Sequence, residues 1–382
     1  MTEENTVKRI ALLALIAACG GKYQAPPPVA SIALPDGSQL KPYDPARPGK
    51  ARPQGLAQAA GRVYVTLSNQ RDGNPFPVNA GPGFLAAFVP SSGAPPTLVD
   101  LGGADGHQCQ NPGFVRASAD GYLYSPCSGD FSGSDTARAI VEVNPLSNTV
   151  TRRAAIPDGR VPNGVAVTAN KIWTGDVHLA TTPTPPTVFS IDRNTFIADA
   201  AEPVPVDCEK TPNGGFSYVA DVMTIGGDVY ALCASDISGE LYRLDPDTRQ
   251  LKAHTTVGAN PTELAGLDDG RILVVNTNDN TLWMVTPNGA TLTSQKILKF
   301  ADQTAALQDV RAFGHIVFTV ASASNTAQRI DLDAQGGPKV VGEAYFGENA
   351  GPYNILPLDD TQAIVSNRGT NTIAAASWKT PK

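Results

Sequence analysis

Pro261-Thr262-Glu263-Leu264-Ala265, then Gly270-Arg271-Ile272-Leu273-Val274-Val275-Asn276, then Asn278-Asp279-Asn280-Thr281-Leu282, then Thr286-Pro287-Asn288-Gly289 make up one unit of a repeat that fills the chain. The parts are a proline-opened strand, a β-rich run after a turn, a polar turn into a third strand, and a further turn built from Pro, Asn and Gly. Unit starts recur as Pro53-Gln54-Gly55-Leu56-Ala57, Pro112-Gly113-Phe114-Val115, Pro162-Asn163-Gly164-Val165-Ala166, Pro212-Asn213-Gly214, a degenerate copy near Ala305, and Pro352-Tyr353-Asn354. The period is roughly 48 residues. Second runs read Arg62-Val63-Tyr64-Val65, Tyr122-Leu123-Tyr124, Lys171-Ile172-Trp173, Asp228-Val229-Tyr230, Ile316-Val317-Phe318 and Ala363-Ile364-Val365. Later turns read Asn144-Pro145-Leu146-Ser147, Asp192-Arg193-Asn194-Thr195, Asp245-Pro246-Asp247-Thr248 and Asp331-Leu332-Asp333, whose residues initiate type I turns or tolerate the left-handed region. Seven such units predict an all-β fold, a seven-bladed β-propeller of four-stranded antiparallel blades. A β-sandwich would not repeat both turns in register seven times.

Closure of the ring is legible at the ends. The last unit runs out at Asn371-Thr372-Ile373-Ala374-Ala375-Ala376-Ser377-Trp378, which aligns with third strands such as residues 281–286. Its fourth strand must come from elsewhere. Val29-Ala30-Ser31-Ile32-Ala33-Leu34-Pro35-Asp36-Gly37 resembles the outer strand Arg153-Ala154-Ala155-Ile156-Pro157-Asp158-Gly159, so the N-terminal segment is expected to complete the last blade and hide the sheet edges.

Composition agrees with this reading. In 382 residues, 36 acidic side chains oppose 29 basic ones, a net charge of −7 that disfavours nucleic acid as a partner. Hydrophobic residues make up 41 % of the chain, enough for a core, and 36 Gly with 32 Pro suit many short strands joined by turns.

The N-terminus carries an address. Lys8-Arg9 precede the apolar run 10–18, which is too short to span a bilayer and reads as a secretory signal. Ile16-Ala17-Ala18-Cys19 resembles the lipobox of bacterial lipoproteins, which implies removal of residues 1–18 and lipidation of Cys19. Residues 19–28, with Pro26-Pro27-Pro28, then form a tether, and 29–382 form a single propeller domain. The implied location is the cell envelope, outer membrane or cell surface, with the lipid bilayer as one partner. Four cysteines remain for an oxidising compartment, and three pairings are open. Cys127 and Cys233 each lie six residues after an equivalent glycine, Gly121 and Gly227, while Cys109 and Cys208 lie just ahead of Pro112 and Pro212. The repeat therefore favours the pairs 109–127 and 208–233. No Cys-x-x-Cys and only four scattered His argue against zinc.

The clearest repeat copies, Val274-Val275-Asn276-Thr277-Asn278-Asp279-Asn280-Thr281-Leu282 and Val365-Ser366-Asn367-Arg368-Gly369-Thr370-Asn371-Thr372-Ile373, resemble the YncE-like (YVTN) and NHL-type seven-bladed propellers. That resemblance covers residues 53–378 and implies an envelope binding or scaffolding protein. Departures are the insertions of units 1–3, at 68–83, 128–138 and 174–186. These build up the channel face and carry Arg71, Asp72, Asp130, Asp176 and His178 as candidates for holding an envelope protein, a glycan or a small molecule. The alternative is a metal-dependent lactonase or esterase-like hydrolase. In regucalcin and gluconolactonase-like propellers a Glu, Asn and Asp set holds a metal at the channel mouth, which here implicates Asn163, Asn213, Glu263 and Asp309 as candidate ligands for calcium. No nucleophile elbow, P-loop or His-Glu-x-x-His occurs.

Overall fold

The computed structural model describes Ile32 and residues 34–73, 77–104, 106–129, 137–156, 159–177, 185–201, 203–212, 215–302 and 305–379. Seven antiparallel sheets follow one another along the chain as the blades of a propeller. Their innermost strands are Pro53–Ala59, Arg116–Ala117, Pro162–Val167, Ser217–Ile225, Pro261–Gly266, Leu307–Phe313 and Pro352–Pro357. Blades 1, 2, 4, 5 and 6 have four strands, and in blade 3 two short pieces, Ile197–Ala198 and Val204–Pro205, share the outer edge of the third strand. A short 3-10 turn at Gly37–Leu40 is the one helical element among the described residues, and no helix there is long and apolar enough to cross a membrane.

Seven hydrophobic clusters fill the spaces between neighbouring blades. Tyr64 and Leu85 meet Leu123 and Val141 between blades 1 and 2, Trp173 meets Val219 and Val229 between blades 3 and 4, and Phe318 meets Ile355 between blades 6 and 7. Each sheet therefore buries both faces against its neighbours, which explains why second strands such as Asp228–Ser235 and Ile316–Ala321 are buried along their whole length.

The turn residues seen in the sequence have assigned work. Oδ1 of Asp245 accepts the N–H groups of Asp247 (3.0 Å) and Thr248 (2.8 Å), and Asp192 does the same for Asn194 and Thr195. Asn280, Asn325 and Asn371, each ahead of a third strand, take positive φ of 50°, 58° and 61°. From there their Oδ1 atoms accept the backbone N–H of Ala306 (3.0 Å), Gly351 (2.9 Å) and Arg52 (2.5 Å). Each acceptor thus grips the residue just before the next blade's inner strand, and Asn371 joins blade 7 to blade 1. Those gripped residues are themselves left-handed, as are Asn111 and Asn260 before Pro112 and Pro261.

The N-terminal segment closes the ring. Ile32 pairs antiparallel with Ile373 in the third strand of blade 7 and is buried with Leu40, Leu56 and Ile364; the rest of 29–31 lies outside the described residues. The chain end departs from the expected strand. The third strand of blade 7 is Thr372–Ala375, and the chain then crosses to blade 6, where Lys379 pairs with Glu343. Trp378 packs on Phe318 and donates its indole N–H to Thr361 O at 2.7 Å, stapling blades 6 and 7 together. A second correction concerns blade 4. Its inner strand registers Val219 opposite Cys233, the place that proline takes in other blades, so the segment around Pro212 precedes the strand instead of opening it. Both expected disulfides form, Cys109–Cys127 and Cys208–Cys233.

Asn371→Ala is expected to lower stability by about 1–2 kcal/mol, because the Arg52 N–H loses its acceptor and alanine is left in a left-handed turn. Deleting residues 29–37 is expected to cost more, since Ile32 leaves the core between blades 7 and 1 and an edge reopens. Urea unfolding of the two variants beside wild type checks both; coincident midpoints would contradict the closure.

Candidate functional site

Inner strands carry a β-bulge near their start in blades 1, 3, 4, 5, 6 and 7. The bulge turns consecutive side chains toward the axis. In blades 4 to 7 the extra residue is Ala220, Thr262, Gln308 or Tyr353, and the next is Asp221, Glu263, Asp309 or Asn354. The first set, with Gln54 and Asn163, lines the channel mouth; the second set lies deeper.

The deeper set is almost entirely withdrawn from water, and all of it but Asn354, which also borders the mouth, is acidic. Arg116 Nη2 reaches both oxygens of Asp221 at 2.7 and 2.5 Å. Arg311 Nη1 lies 3.2 Å from Glu263 Oε2 and 3.0 Å from Asp309 Oδ1, and its Nη2 donates to Glu263 Oε1 at 3.3 Å. Asp309 Oδ2 accepts the N–H of Ile355 at 2.8 Å and Asp221 Oδ2 that of Leu264 at 3.4 Å, so these carboxylates also satisfy backbone in the next blade. Three carboxylates and two guanidiniums leave one negative charge too many in a site where charge is expensive. The balance closes when Glu263 holds a proton. Burial raises its carboxyl well above the ordinary 4.5, with Arg311 opposing and Asp309 reinforcing the rise. Burial likewise pushes Asp221 up to about 6, against the pull of Arg116.

This layer divides the channel. Above it is a cavity of about 230 Å³ lined by Gln54, Asn111, Asn163, Tyr218, Gln308, Tyr353, Asn354 and Arg368, with Glu263 at its floor. Below it is a cavity of about 470 Å³ walled by Leu56, Val115, Val165 and Met223 and roofed by Arg116 and Arg311. The upper cavity adjoins a third, about 510 Å³, at the seam of blades 7 and 1, where Lys50, Arg52, Asp72 and Arg368 meet. Tyr353, Gln308 and Arg368 belong to both. The Arg368 guanidinium stands 5.3 Å from the centroid of the Tyr353 ring.

The candidates from the sequence separate clearly. Asp72 lies in the seam cavity, accepting from Lys50 Nζ at 2.8 Å and from Arg52; Arg71 precedes it in a small hairpin, Gln70–Arg71 with Val78–Asn79. Asp176 is 6 % exposed and its Oδ1 accepts the Val161 N–H at 2.8 Å, so it holds the entry of blade 3 together rather than projecting from a rim. Asp130, His178, Asn213 and Cys19 lie outside the described residues. Asn163 lines the mouth, but its amide donates to Val219 O (3.1 Å) and Ala220 O (2.6 Å), clamping blade 3 to blade 4. Glu263 and Asp309 do come together, with a guanidinium between them. Among the described residues no group of three or more His, Cys, Asp or Glu is arranged to hold a metal ion. His107, His254 and His315 line none of these three cavities.

Sequence reasoning missed Lys50, Arg52, Tyr353, Gln308 and Arg368. A signal existed for the last: the second strands of blades 5 and 7 end Asn276-Thr277-Asn278 and Asn367-Arg368-Gly369, so arginine breaks the repeat where it faces the mouth.

No family model and no curated protein matches the sequence. Solved structures do share the fold. Hydrazine synthase of Kuenenia stuttgartiensis aligns with a TM-score of 0.65 at 10 % identity, covering 91 % of this chain and 100 % of that one. A catalytically inactive virginiamycin B lyase from Staphylococcus aureus, with quinupristin, aligns at 0.60 and 13 % identity over 91 % and 98 % of the two chains. The periplasmic gluconolactonase of Pseudomonas aeruginosa aligns at 0.58 and 15 % identity over 79 % and 92 %. At such identities the likeness establishes the seven-bladed fold alone.

Glu263→Gln imitates the protonated floor. A carboxyl with a raised folded-state pKa contributes stability that is present in acid and lost as pH rises through the folded value. Stability of Glu263→Gln relative to wild type is therefore expected to improve from about pH 4 to pH 8, while Arg311→Met costs about 3–5 kcal/mol at neutral pH by stranding the buried Asp309 carboxylate. Urea unfolding across that range checks this; a pH-independent difference for Glu263→Gln would contradict the proton at the floor.

Proposed function

We propose that this protein is an exported binding module, related to the YncE-like propellers and tethered to the envelope through a lipidated Cys19, that takes a small polar ligand or glycan end in its channel mouth. The observation carrying this reading is a blind pit. Ion pairs close the axis below, and amide groups and tyrosines surround the opening above. The free Oδ1 of Asn354 offers an acceptor for a hydroxyl group, Gln54 and Gln308 add polar surface to the walls, and the Tyr353 and Tyr218 rings offer flat apolar faces to a sugar ring. Two disulfides suit an oxidising compartment outside the cytoplasm. Both second cysteines, Cys127 and Cys233, stand at the channel-face ends of their strands and brace blades 2 and 4 beside the mouth. Such bracing limits the ordering cost when a ligand enters.

The rival reading, a calcium-dependent lactonase, asks Glu263 and Asp309 to exchange their guanidinium for a metal. Arg311 already supplies the positive charge those oxygens need, which favours the binding module.

The test is titration calorimetry of the soluble domain, residues 29–382, against a panel of mono- and oligosaccharides and aldonolactones, for wild type and Tyr353→Ala. Binding without turnover, weakened about tenfold or more in Tyr353→Ala through loss of the aromatic platform, is the expected result. Lactone hydrolysis that needs calcium and stops on chelation would overturn the binding reading.

A further inference from the structure

We propose that the seam between blades 7 and 1 is an oxyanion subsite, in which Lys50, Arg52 and Arg368 hold a carboxylate or phosphate group of the ligand whose polar part sits in the channel mouth. This inference rests on the channel-mouth reading and gives its ligand a charge.

Charge is the first observation. A protein with a net charge of −7 concentrates three cations on the walls of one cavity of about 510 Å³, where Asp72 is the one carboxylate on the same walls. Asp72 already pairs with Lys50 at 2.8 Å and with Arg52. Among the described residues no carboxylate pairs with Arg368, and its Nε is buried with no hydrogen-bond partner; the Nε of Arg52 is in the same condition. An anion in the cavity would meet the Nη groups of Arg368, for which no acceptor stands among the described residues.

Like charges are held together against their own repulsion. Burial, and then the neighbouring Arg368 guanidinium, lower the pKa of Arg52. The backbone of Arg52 is also left-handed, φ 46°, at a position that glycine occupies before blade 7 as Gly351. A long cationic side chain kept on a strained backbone, next to a second cation, costs stability that a ligand would repay. The site is also continuous with the mouth, because Tyr353, Gln308 and Arg368 line both cavities. A ligand with hydroxyl groups at one end and an oxyanion at the other spans the two, and the planar fork of Arg368 suits a carboxylate or a phosphate monoester. Asp72 is 71 % exposed and both its oxygens are already engaged, by Lys50 and Arg52, so it does little to repel that group.

The experiment measures thermal melting and calorimetric titration of the soluble domain with glucose, glucuronate and inorganic phosphate at constant ionic strength. The proteins are wild type, Arg368→Gln, Lys50→Gln and Tyr353→Ala. Arg368→Gln removes the charge without breaking an ion pair and, by relieving its repulsion of Arg52, is expected to melt at or slightly above wild type. Glucuronate is expected to bind wild type about tenfold or more tightly than glucose, and to fall to the glucose level in Arg368→Gln. Lys50→Gln should lose a smaller factor. Phosphate separates the two oxyanion sources: phosphate binding that is lost in Arg368→Gln supports a subsite open to phosphate groups, and glucuronate binding alone supports one selective for carboxylates. The proposal is overturned if neither oxyanion binds, or if both bind equally to wild type and the two cation variants. Glucose binding that is lost in Tyr353→Ala, with no preference for glucuronate, would overturn the subsite and leave the channel-mouth reading standing.

Discussion

An asparagine held in a left-handed turn is the constraint on which the ring depends. Asn280, Asn325 and Asn371 each give a side-chain oxygen to the backbone N–H that stands one residue before the next blade begins. Left-handed backbone is cheap for asparagine and glycine and expensive for most other residues, so the position selects its amino acid. The grip fixes where the following inner strand starts and therefore which of its residues point at the axis. Asn371 does this across the junction of the two chain ends, where Ile32 and Ile373 also pair.

Once the inner strands are fixed, their bulged residues have to coexist around one axis. Apolar packing alone would leave backbone N–H groups at the bulges unmatched, and the carboxylates of Asp221 and Asp309 accept them from the neighbouring blade. Burying those carboxylates then demands Arg116 and Arg311, and the charge left over demands a proton on Glu263. The floor of the mouth is thus a consequence of strand geometry carried through electrostatics. The mouth itself, above that floor, is freed from packing duties and can vary in chemistry, which is where the polar and cationic residues collect.

The fold was legible because turns punish substitution: Asp192, Asp245, Asn280 and Asn371 occupy positions with few chemical alternatives, and such residues recur at the same place in several units. The start of blade 4 was misplaced for the same reason inverted, since Val219 does the work of proline there while Pro212-Asn213-Gly214 imitates an opening. The disulfides were readable because Cys127 and Cys233 sit at equivalent register positions. The mouth was half legible. Asn163 was a candidate in the sequence and does line the mouth, yet it is there in part for a clamp on blade 4. The ion-pair floor was not legible, because Arg116 meets Asp221 across the axis at a sequence separation of 105, and each residue looks like an ordinary member of its own strand. Arg52 and Arg368 show the same difficulty at the seam, since they are remote in sequence and meet only because the ring closes.

The most direct measurement is a high-resolution crystal structure of residues 29–382 grown with manganese in place of calcium, with anomalous data collected at a wavelength where manganese scatters. The ion-pair floor predicts Arg311 lodged between Glu263 and Asp309, with no anomalous peak among these residues and Asn163. A manganese peak at Glu263 and Asp309, with the Arg311 guanidinium swung out of the channel, would contradict it and reopen the hydrolase reading.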